Sequence, residues 1–405
     1  MKAMAPPPVF VLCPDSFKGT FSSTQVAREL KKAAQARFPG CVCRVLPVAD
    51  GGEGTVDALV DALAGRKVTV EVAGPLGDPL LATFGLVRPK VALPYDPASL
   101  QSHDPGSPQP LEAIIEMAAA SGLPLVEGRQ DILSASTYGT GQLIQAALDA
   151  GANAITLAVG GSATNDGGMG LLSALGVTFA DKEGVSLPGG GGSLEQVARI
   201  DLSGLDPRLA HTPIKVLCDV NNPLLGFQGC ARVFSPQKGA TPSEVERLER
   251  GMAFYADALE EAAGRQAREL PGAGAAGGLA FGCVVGLGAQ LVSGIEQVLQ
   301  LVGFEEIAAT ADLVVTGEGH LDAQTSHGKV CAGIGAVCQT LRVPCVALVG
   351  SAAIDAPEIP GIQVVVPCVG DVMDLDEALA QSQRTLAQAA ARLFDLLALG
   401  AKLQT

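Results

Sequence analysis

Six short segments of this 405-residue sequence combine glycine with carboxylate, amide or lysine side chains. Each segment lies beside a predicted strand or helix end. Three of them, Pro14–Gly19, Gly160–Gly168 and Gly317–Lys329, follow a strand and precede a helix, where backbone N–H groups and the helix dipole can bind phosphate. Phosphoryl transfer needs a loop that holds phosphates, carboxylates for Mg²⁺, a cation or two and a base that orients the attacking hydroxyl. The segments are Pro14–Gly19, Asp50–Thr55, Gly160–Gly168, Cys218–Pro223, Pro271–Gly278 and Gly317–Lys329.

The side chains that this chemistry requires are all present. A single glycine–aspartate turn is more often an ordinary connector than a binding site, but six such segments in one chain favour a functional explanation. The candidate cations are Lys18, Lys238 and Lys329, and the candidate carboxylates are Asp15, Asp50, Glu53, Asp166, Asp219, Glu318 and Asp322.

The segment Pro271–Gly278 also matches the GxGxxG pattern of dinucleotide-binding loops, through Gly272, Gly274 and Gly277. The match is weak because the preceding residues, 265–270, resemble a helix end, whereas the motif requires a strand there. Small residues entering a helix also serve close packing. No GxxxxGK[ST] loop or HRD-type catalytic loop occurs, and four dispersed histidines give no serine-hydrolase or zinc constellation.

The elements that must position these segments follow an α/β pattern, because short apolar runs alternate with helical periodicity. We predict a doubly wound parallel-sheet domain from residues 1–73 and 279–405, with a second domain, residues 74–278, inserted in it. Proline-rich residues 89–110 are predicted to form a long surface loop. The predicted strands are Val9–Cys13, Arg44–Val48, Lys67–Val72, Asp312–Thr316, Val343–Gly350 and Ile362–Val366, and the predicted helices are Ser23–Arg37, Val56–Leu63, Ile295–Leu301, Lys329–Leu341 and Leu375–Leu399.

Composition restricts the class of protein. The net charge of −15 argues against non-specific nucleic-acid binding and against a basic membrane-binding patch. Ten cysteines without a CxxC pair are interpreted as buried free thiols, which suits a reducing compartment. No apolar run is long enough for a signal-peptide core or a membrane span, so we expect a cytoplasmic protein without a membrane partner.

Taken together, the motifs resemble the bacterial-type glycerate kinase family over nearly the whole chain. The resemblance implies a Rossmann-like domain with an inserted α+β domain, an active site in the cleft between them, ATP and Mg²⁺ as cofactors, and D-glycerate as substrate. The sequence departs from the family pattern at His320, where Arg is usual, at Ser235, where Gly is usual, and in the length of the 89–110 loop. The motifs are Pro14–Gly19, Ala49–Thr55, Glu116–Leu123, Tyr138–Gly141, Gly160–Gly168, Pro236–Ala240 and Gly317–Lys329.

Within this frame we assign candidate roles. Asp219 is the first candidate for the base, because it follows an apolar run and should lie at the carboxyl end of a strand, and Asp166 is the second. The catalytic candidates are Asp219, Asp166 and Lys18; the substrate-binding candidates are Asp15, Ser16, Asn221, Asn222 and Lys238; the nucleotide-binding candidates are Gly160, Gly161, Ser162, Thr164, Asn165, Gly317, Glu318 and Lys329; and the metal ligands are Asp50, Glu53 and Asp322.

Two other functions remain open at this point. The GxGxxG match would suit an NAD(P)-dependent oxidoreductase, and retention of the fold alone would suit a non-catalytic protein that binds sugar acids. The family's usual product is 2-phosphoglycerate, but the sequence does not separate it from 3-phosphoglycerate, and it does not fix whether the chain forms a homo-oligomer.

Overall fold

A computed structural model describes residues 6–17, 19–89, 110–322, 329–371 and 373–403. The chain divides into two compact units. The first unit contains residues 1–50, 57–64 and 295–405, and the second contains residues 51–56 and 65–294. Each unit is built around its own β-sheet.

Strands and helices alternate along much of the chain, as the sequence predicts. The strands are β1 (Val9–Pro14), β2 (Val42–Val45), β3 (Arg66–Ala73), β4 (Pro79–Val87), β5 (Glu112–Glu116), β6 (Ala154–Ala158), β7 (Thr178–Ala180), β8 (Arg199–Asp201), β9 (Ile214–Leu217), β10 (Gln290–Val292), β11 (Leu313–Gly317), β12 (His320–Leu321), β13 (Cys345–Val349), β14 (Ser351–Ala352) and β15 (Val364–Pro367). The helices are α1 (Ser23–Arg37), α2 (Thr55–Ala62), α3 (Ala118–Ser121), α4 (Tyr138–Asp149), α5 (Met169–Ala174), α6 (Cys230–Phe234), α7 (Pro242–Ala263), α8 (Ala275–Leu287), α9 (Gly294–Val302), α10 (Phe304–Ala308), α11 (Val330–Leu341), α12 (Leu375–Ala380) and α13 (Ser382–Leu403).

The first unit contains a five-stranded sheet in the order β15-β13-β11-β1-β2, with every neighbouring pair parallel. Its three central strands, β11, β1 and β13, are apolar and buried on both faces. Phe10 and Leu12 of β1 pack in one cluster with residues of α1 and α13, whereas Ala347 and Val349 of β13 pack with Cys331 of α11 in another cluster. Helices therefore cover both faces, which explains the continuous apolar runs in the sequence.

In this unit the structure confirms one predicted helix and divides another. The Ser22 side chain caps α1, and Gln25 completes a capping box, so the helix spans Ser23–Arg37 as predicted. The predicted single helix 375–399 is divided in the structure, because α12 ends before Gln381 and α13 begins at Ser382. The amphipathic pattern runs through this break and therefore does not reveal it.

The second unit contains a six-stranded sheet in the order β10-β9-β6-β5-β4-β3. The four strands from β10 to β5 are parallel, and β4 and β3 add an antiparallel edge. The protein is therefore a mixed α/β chain with parallel sheets, as predicted.

The boundaries between the two units differ from the predicted domain boundaries at residues 73 and 279. The strand predicted at Lys67–Val72 exists as β3, but it pairs with β4 over eight residues and lies in the second sheet. The hairpin offers β3 a neighbour only a short turn away, whereas the strand pattern itself does not show which sheet it joins. At the other boundary, α8 and β10 also belong to the second unit, because β10 pairs with β9.

The GxGxxG match lies in the turn that leads into α8, and no strand precedes it. A Cβ on Gly277 would lie 2.1 Å from the Thr164 carbonyl oxygen, and a Cβ on Gly274 would lie 2.4 Å from that of Pro223. These glycines allow close packing of backbone on backbone, which is the alternative role that the sequence left open for them.

Among the described residues, no helix has the length and apolar character needed to cross a membrane. Of the proline-rich segment predicted as a surface loop, residues 90–109 lie outside the described part of the chain.

Candidate active site

A cavity of roughly 520 Å³ lies in the first unit, at the carboxyl ends of its parallel strands. Asp15 follows β1, Glu318 follows β11, Gly350 follows β13 and Cys368 follows β15, and all four line the cavity. The strand order reverses between β1 and β11, since β2 lies on one side of β1 and the later strands lie on the other. Ligands of doubly wound sheets bind at such a reversal, beyond the carboxyl ends of the strands.

Hydrogen bonds join the ends of the two central strands. The Asp15 backbone N–H donates to the Gly317 carbonyl oxygen at 2.8 Å, and the Asp15 carboxylate accepts from the Ser16 N–H at 2.6 Å. Gly317 must be glycine, because a Cβ would lie 1.9 Å from the Leu348 carbonyl oxygen. The structure thus brings together four predicted site residues at the carboxyl ends of the central strands. They are Asp15, Ser16, Gly317 and Glu318.

Lys329 and Asp322 also line the cavity, and their side chains lie 3.4 Å apart as an ion pair. Lys329 is the residue that precedes α11, so its positive charge adds to the field of the helix N-terminus. This combination of a lysine and a helix N-terminus attracts anions, and phosphate groups in particular.

The predicted metal ligands are only partly brought together. Asp50 and Asp322 line the cavity, whereas Glu53 is exposed in its turn and is not part of the lining. The described residues contain no cluster of three or more metal-binding side chains. Mg²⁺ is commonly held by one or two carboxylates together with nucleotide phosphates, and the carboxylate oxygens of Asp50 and Asp322 fit that mode of binding.

Asp166 occupies a different environment from the one predicted. Its carboxylate is completely buried and accepts hydrogen bonds from the Thr137 N–H and hydroxyl, both at 2.8 Å, and from the N–H groups of Gly168 and Gly170. Burial raises the pKa of Asp166, and the four hydrogen bonds oppose this effect. Because no solvent reaches the carboxylate, its position fits the organisation of the Gly167–Gly168 turn, and Asp166 stays the second candidate for the base behind Asp219.

Lys238, predicted to bind substrate, is also buried, with 3% of its surface exposed. Its Nζ donates to the Ser162 hydroxyl and to the Thr164 carbonyl oxygen, each at 2.7 Å. Burial lowers the pKa of Lys238 to about 8. The ammonium group therefore fixes the glycine-rich loop from inside the protein, and it is not available to a ligand on the surface.

The glycine-rich loop itself is exposed at one end and buried at the other. Gly160 and Gly161 are exposed, and Gly161 has a φ of +74°, which favours glycine. Thr164 and Asn165 are completely buried, so their side chains do not reach solvent as a nucleotide-binding role requires. The Ser235 hydroxyl, at a position where the family usually has glycine, donates to Asn165 Oδ1 at 3.2 Å.

Asp219 lies two residues after the end of β9 and is exposed, in the place predicted for it near the carboxyl end of a strand. Its Oδ1 accepts a hydrogen bond from the Gly294 N–H at 2.9 Å. Nearby, Asn221 is exposed, but the Asn222 amide donates to the Gln228 carbonyl oxygen at 2.8 Å and holds its own loop. Asp219 therefore remains the first candidate for the base, and Asn221 is better placed than Asn222 to bind a ligand.

Lys18, the third catalytic candidate, lies outside the described residues, as do residues 323–328 of the last glycine-rich segment. Their roles stay predictions.

Sequence reasoning missed an entire side of the cavity. The strand rule, applied to the run that ends at Gly350, could have predicted Gly350 and Ser351. Nothing comparable marks the helical residues, since they lack charge and glycine. The missed lining residues are Phe17, Thr20, Phe21, Gly350, Ser351, Cys368, Val369, Leu375, Ala378, Leu379, Ser382, Thr385 and Leu386.

The chain is similar to characterised proteins over nearly its whole length. It is 42% identical to the glycerate kinase of Halalkalibacterium halodurans over 94% of this chain and 96% of that protein. It is 39% identical to the glycerate 2-kinase of Escherichia coli, over 96% of this chain and 98% of that protein.

The fold and the family model agree with these relatives. The crystal structure of a Salmonella typhimurium LT2 protein assigned as glycerate kinase 2 superimposes with a TM-score of 0.85, at 39% identity, covering 98% of this chain and 100% of that one. The model of the glycerate kinase family matches residues 10–398. The chain therefore belongs to the glycerate kinase family of phosphate-transferring enzymes.

Proposed function

We propose that the protein transfers the γ-phosphate of ATP to a hydroxyl of D-glycerate and that the product is 2-phosphoglycerate. The observation that carries the proposal is family membership across residues 10–398, together with the cavity at the carboxyl ends of β1, β11 and β13. The 2-phosphate isomer is favoured by the 39% identity to a protein named glycerate 2-kinase.

We infer that the first unit is a Rossmann-like, doubly wound domain and that the second is inserted into it. The proposal is supported by the all-parallel order β15-β13-β11-β1-β2 and by the return of the chain to the first unit at residue 295. A sheet of this kind supplies what a phosphate donor needs: strand ends that carry polar residues and helix N-termini that favour anions.

In this proposal Lys329 and the N-terminus of α11 bind the phosphates of ATP, and Asp50 and Asp322 are the residues that would hold Mg²⁺. When bound, the metal supplies positive charge to the phosphate oxygens. Asp322 also keeps Lys329 near the cavity through their ion pair. Loss of either side chain should therefore affect the binding of ATP more than the binding of glycerate.

Asp219 is proposed as the general base. Its carboxylate accepts the proton of the glycerate hydroxyl while that oxygen forms a bond to the γ-phosphorus, and the bond between the γ-phosphorus and the ADP oxygen breaks. The hydrogen bond from Gly294 fixes the carboxylate through Oδ1.

The test is incubation of the purified protein with MgATP and D-glycerate, followed by addition of enolase. Enolase dehydrates 2-phosphoglycerate and not 3-phosphoglycerate, so phosphoenolpyruvate should form at the rate of ADP release. ADP release without phosphoenolpyruvate would identify the 3-phosphate isomer. Absence of ADP release would contradict the kinase proposal and leave the sugar-acid-binding alternative.

The oxidoreductase alternative has no supporting observation in the structure. The glycines of its only motif pack against the backbone at Thr164 and Pro223, as described above, and a dinucleotide would have to displace those contacts.

A further inference from the structure

One side of the cavity in the first unit is apolar, and the phosphate-binding role proposed above does not use it. Cys368 and Val369 follow the edge strand β15, Leu375 and Leu379 lie on α12, and Leu386 lies on α13. The charged residues Asp15 and Glu318 follow β1 and β11 instead, in the middle of the sheet, whereas Ser382 and Thr385 of α13 add only two hydroxyl groups to the largely apolar side. The cavity therefore has two chemically different sides, and a ligand that fills it must be apolar at one end and polar at the other.

Helix α12 presents this apolar side in an unusual manner. Leu375 and Leu379 are spaced i and i+4, so they lie on the same helical face, and both line the cavity. They are nevertheless 72% and 42% exposed, and α12 buries none of its residues. A flat apolar ligand that covers these exposed leucines removes apolar surface from water, which favours its binding.

The size of the cavity indicates which of the two substrates, ATP or glycerate, it fits. A volume of roughly 520 Å³ lies within the range of sites for nucleotide-sized ligands, and it is far larger than a three-carbon acid such as glycerate requires. Glycerate also has no apolar group that would use the leucine face.

We propose that the base of the donor nucleotide binds against Leu375 and Leu379 of α12, with its phosphates directed toward the Asp322–Lys329 pair. This inference rests on the proposed use of ATP. It assigns a role in nucleotide binding to a helix that the glycine-rich motifs do not include.

The test substitutes Leu379→Asp, which places a charge on the apolar face at a position exposed enough to leave folding unaffected. Leu396→Asp is the matched control, because Leu396 is 65% exposed on α13 and does not line the cavity. Binding of ADP is measured by calorimetry without glycerate, and KM is measured for ATP and for glycerate separately. Leu379→Met, which keeps an apolar side chain of similar volume, tests for rescue.

The inference predicts that Leu379→Asp weakens ADP binding and raises KM for ATP by about tenfold, while KM for glycerate stays within about twofold. Leu396→Asp should match the unmodified protein, and Leu379→Met should recover most of the ADP affinity that Leu379→Asp loses. Unchanged ADP binding in Leu379→Asp, or a change confined to KM for glycerate, would overturn the inference while leaving the kinase proposal intact. Conversely, if the unmodified protein binds ADP but releases none from ATP with glycerate, the kinase proposal fails while the calorimetry still tests the nucleotide site.

Discussion

Lys238 donates hydrogen bonds from its buried Nζ to the Ser162 hydroxyl and the Thr164 carbonyl oxygen, each at 2.7 Å. Because the pKa of Lys238 is lowered by burial to about 8 from an ordinary 10.5, the folded protein releases this proton at a lower pH than the unfolded chain does. The unfolded state therefore binds more protons between pH 8 and 10.5, and the contribution of Lys238 to the free energy of unfolding rises with pH over this window.

The measurement is urea unfolding of the unmodified protein and of Lys238→Met at several pH values. The difference between their unfolding free energies should grow in favour of the unmodified protein from pH 7.5 to 10.5, by up to about 3 kcal/mol. Groups that do not interact with Lys238 titrate alike in both proteins and cancel in the difference. A difference that does not vary with pH would show that the pKa of Lys238 is not lowered in the folded protein.

A second prediction concerns Asp166, whose carboxylate accepts four hydrogen bonds and donates none. In Asp166→Asn the new amide N–H₂ would face a backbone N–H donor, so one buried group loses its partner. We expect the unfolding free energy to fall by about 1–3 kcal/mol. In the fraction that remains folded, both KM values should stay near those of the unmodified protein. If kcat instead falls a hundredfold without loss of stability, Asp166 takes part in the chemistry after all.

The contrast between Asp166 and Asp219 shows what the sequence can and cannot predict. In the sequence both residues are carboxylates beside glycine or asparagine. The apolar run before Asp219 predicts a strand there, and β9 confirms it. Burial of Asp166 depends on α4, which brings Thr137 to it from 29 residues away. No local pattern encodes that contact, and the same holds for the burial of Lys238.

Similarly, the sequence predicts the presence of a strand better than it predicts which strand that strand pairs with. The strand predicted at Lys67–Val72 exists as β3, but a hairpin with β4 decides which sheet it joins. The cavity shows the same limit. Its polar side follows from the strand-end rule, whereas the apolar side depends on how α12 packs, and Leu375 and Leu379 carry no chemical signature in the sequence.

Because several thiols are buried, we predict that the free energy of unfolding falls at alkaline pH. Burial raises the pKa of both Cys230 and Cys283 to about 12, from an ordinary 9.0. Above pH 9 the unfolded chain loses these protons while the folded protein keeps them, so the unfolding free energy falls as pH rises toward 12. Between pH 8 and 10 each thiol should account for about 1.4 kcal/mol.

Unfolding in urea at pH 8 and pH 10, under reducing conditions, measures this effect. Cys283→Ala should reduce the pH-dependent loss by the share of one thiol, although the substitution lowers stability at both pH values. An identical loss in Cys283→Ala and in the unmodified protein would contradict the prediction.

Lys329 is expected to act on the phosphate donor. Lys329→Met removes the positive charge beside the N-terminus of α11, so KM for ATP should rise about tenfold, with a smaller change in KM for glycerate. Lys329→Arg should recover part of the affinity because it keeps the charge. Lys182→Met, at an 83% exposed surface position, is the control. A selective rise in KM for glycerate would move Lys329 from the nucleotide site to the substrate site.

The last prediction tests Asp219 as the base. Asp219→Asn keeps the size of the side chain, and its amide oxygen can still accept the hydrogen bond from Gly294, so the loop geometry should persist. The amide cannot accept the proton of the glycerate hydroxyl, and kcat should fall by about 10²–10⁴-fold with little change in either KM. Asp257→Asn, at a 70% exposed position in the same unit, should have no effect on turnover. If the substitution instead raises the Mg²⁺ concentration required for activity, or KM for ATP, then Asp219 binds the metal or the nucleotide. In that case the base must be sought elsewhere than at Asp219, and the complete burial of the Asp166 carboxylate argues against that second candidate.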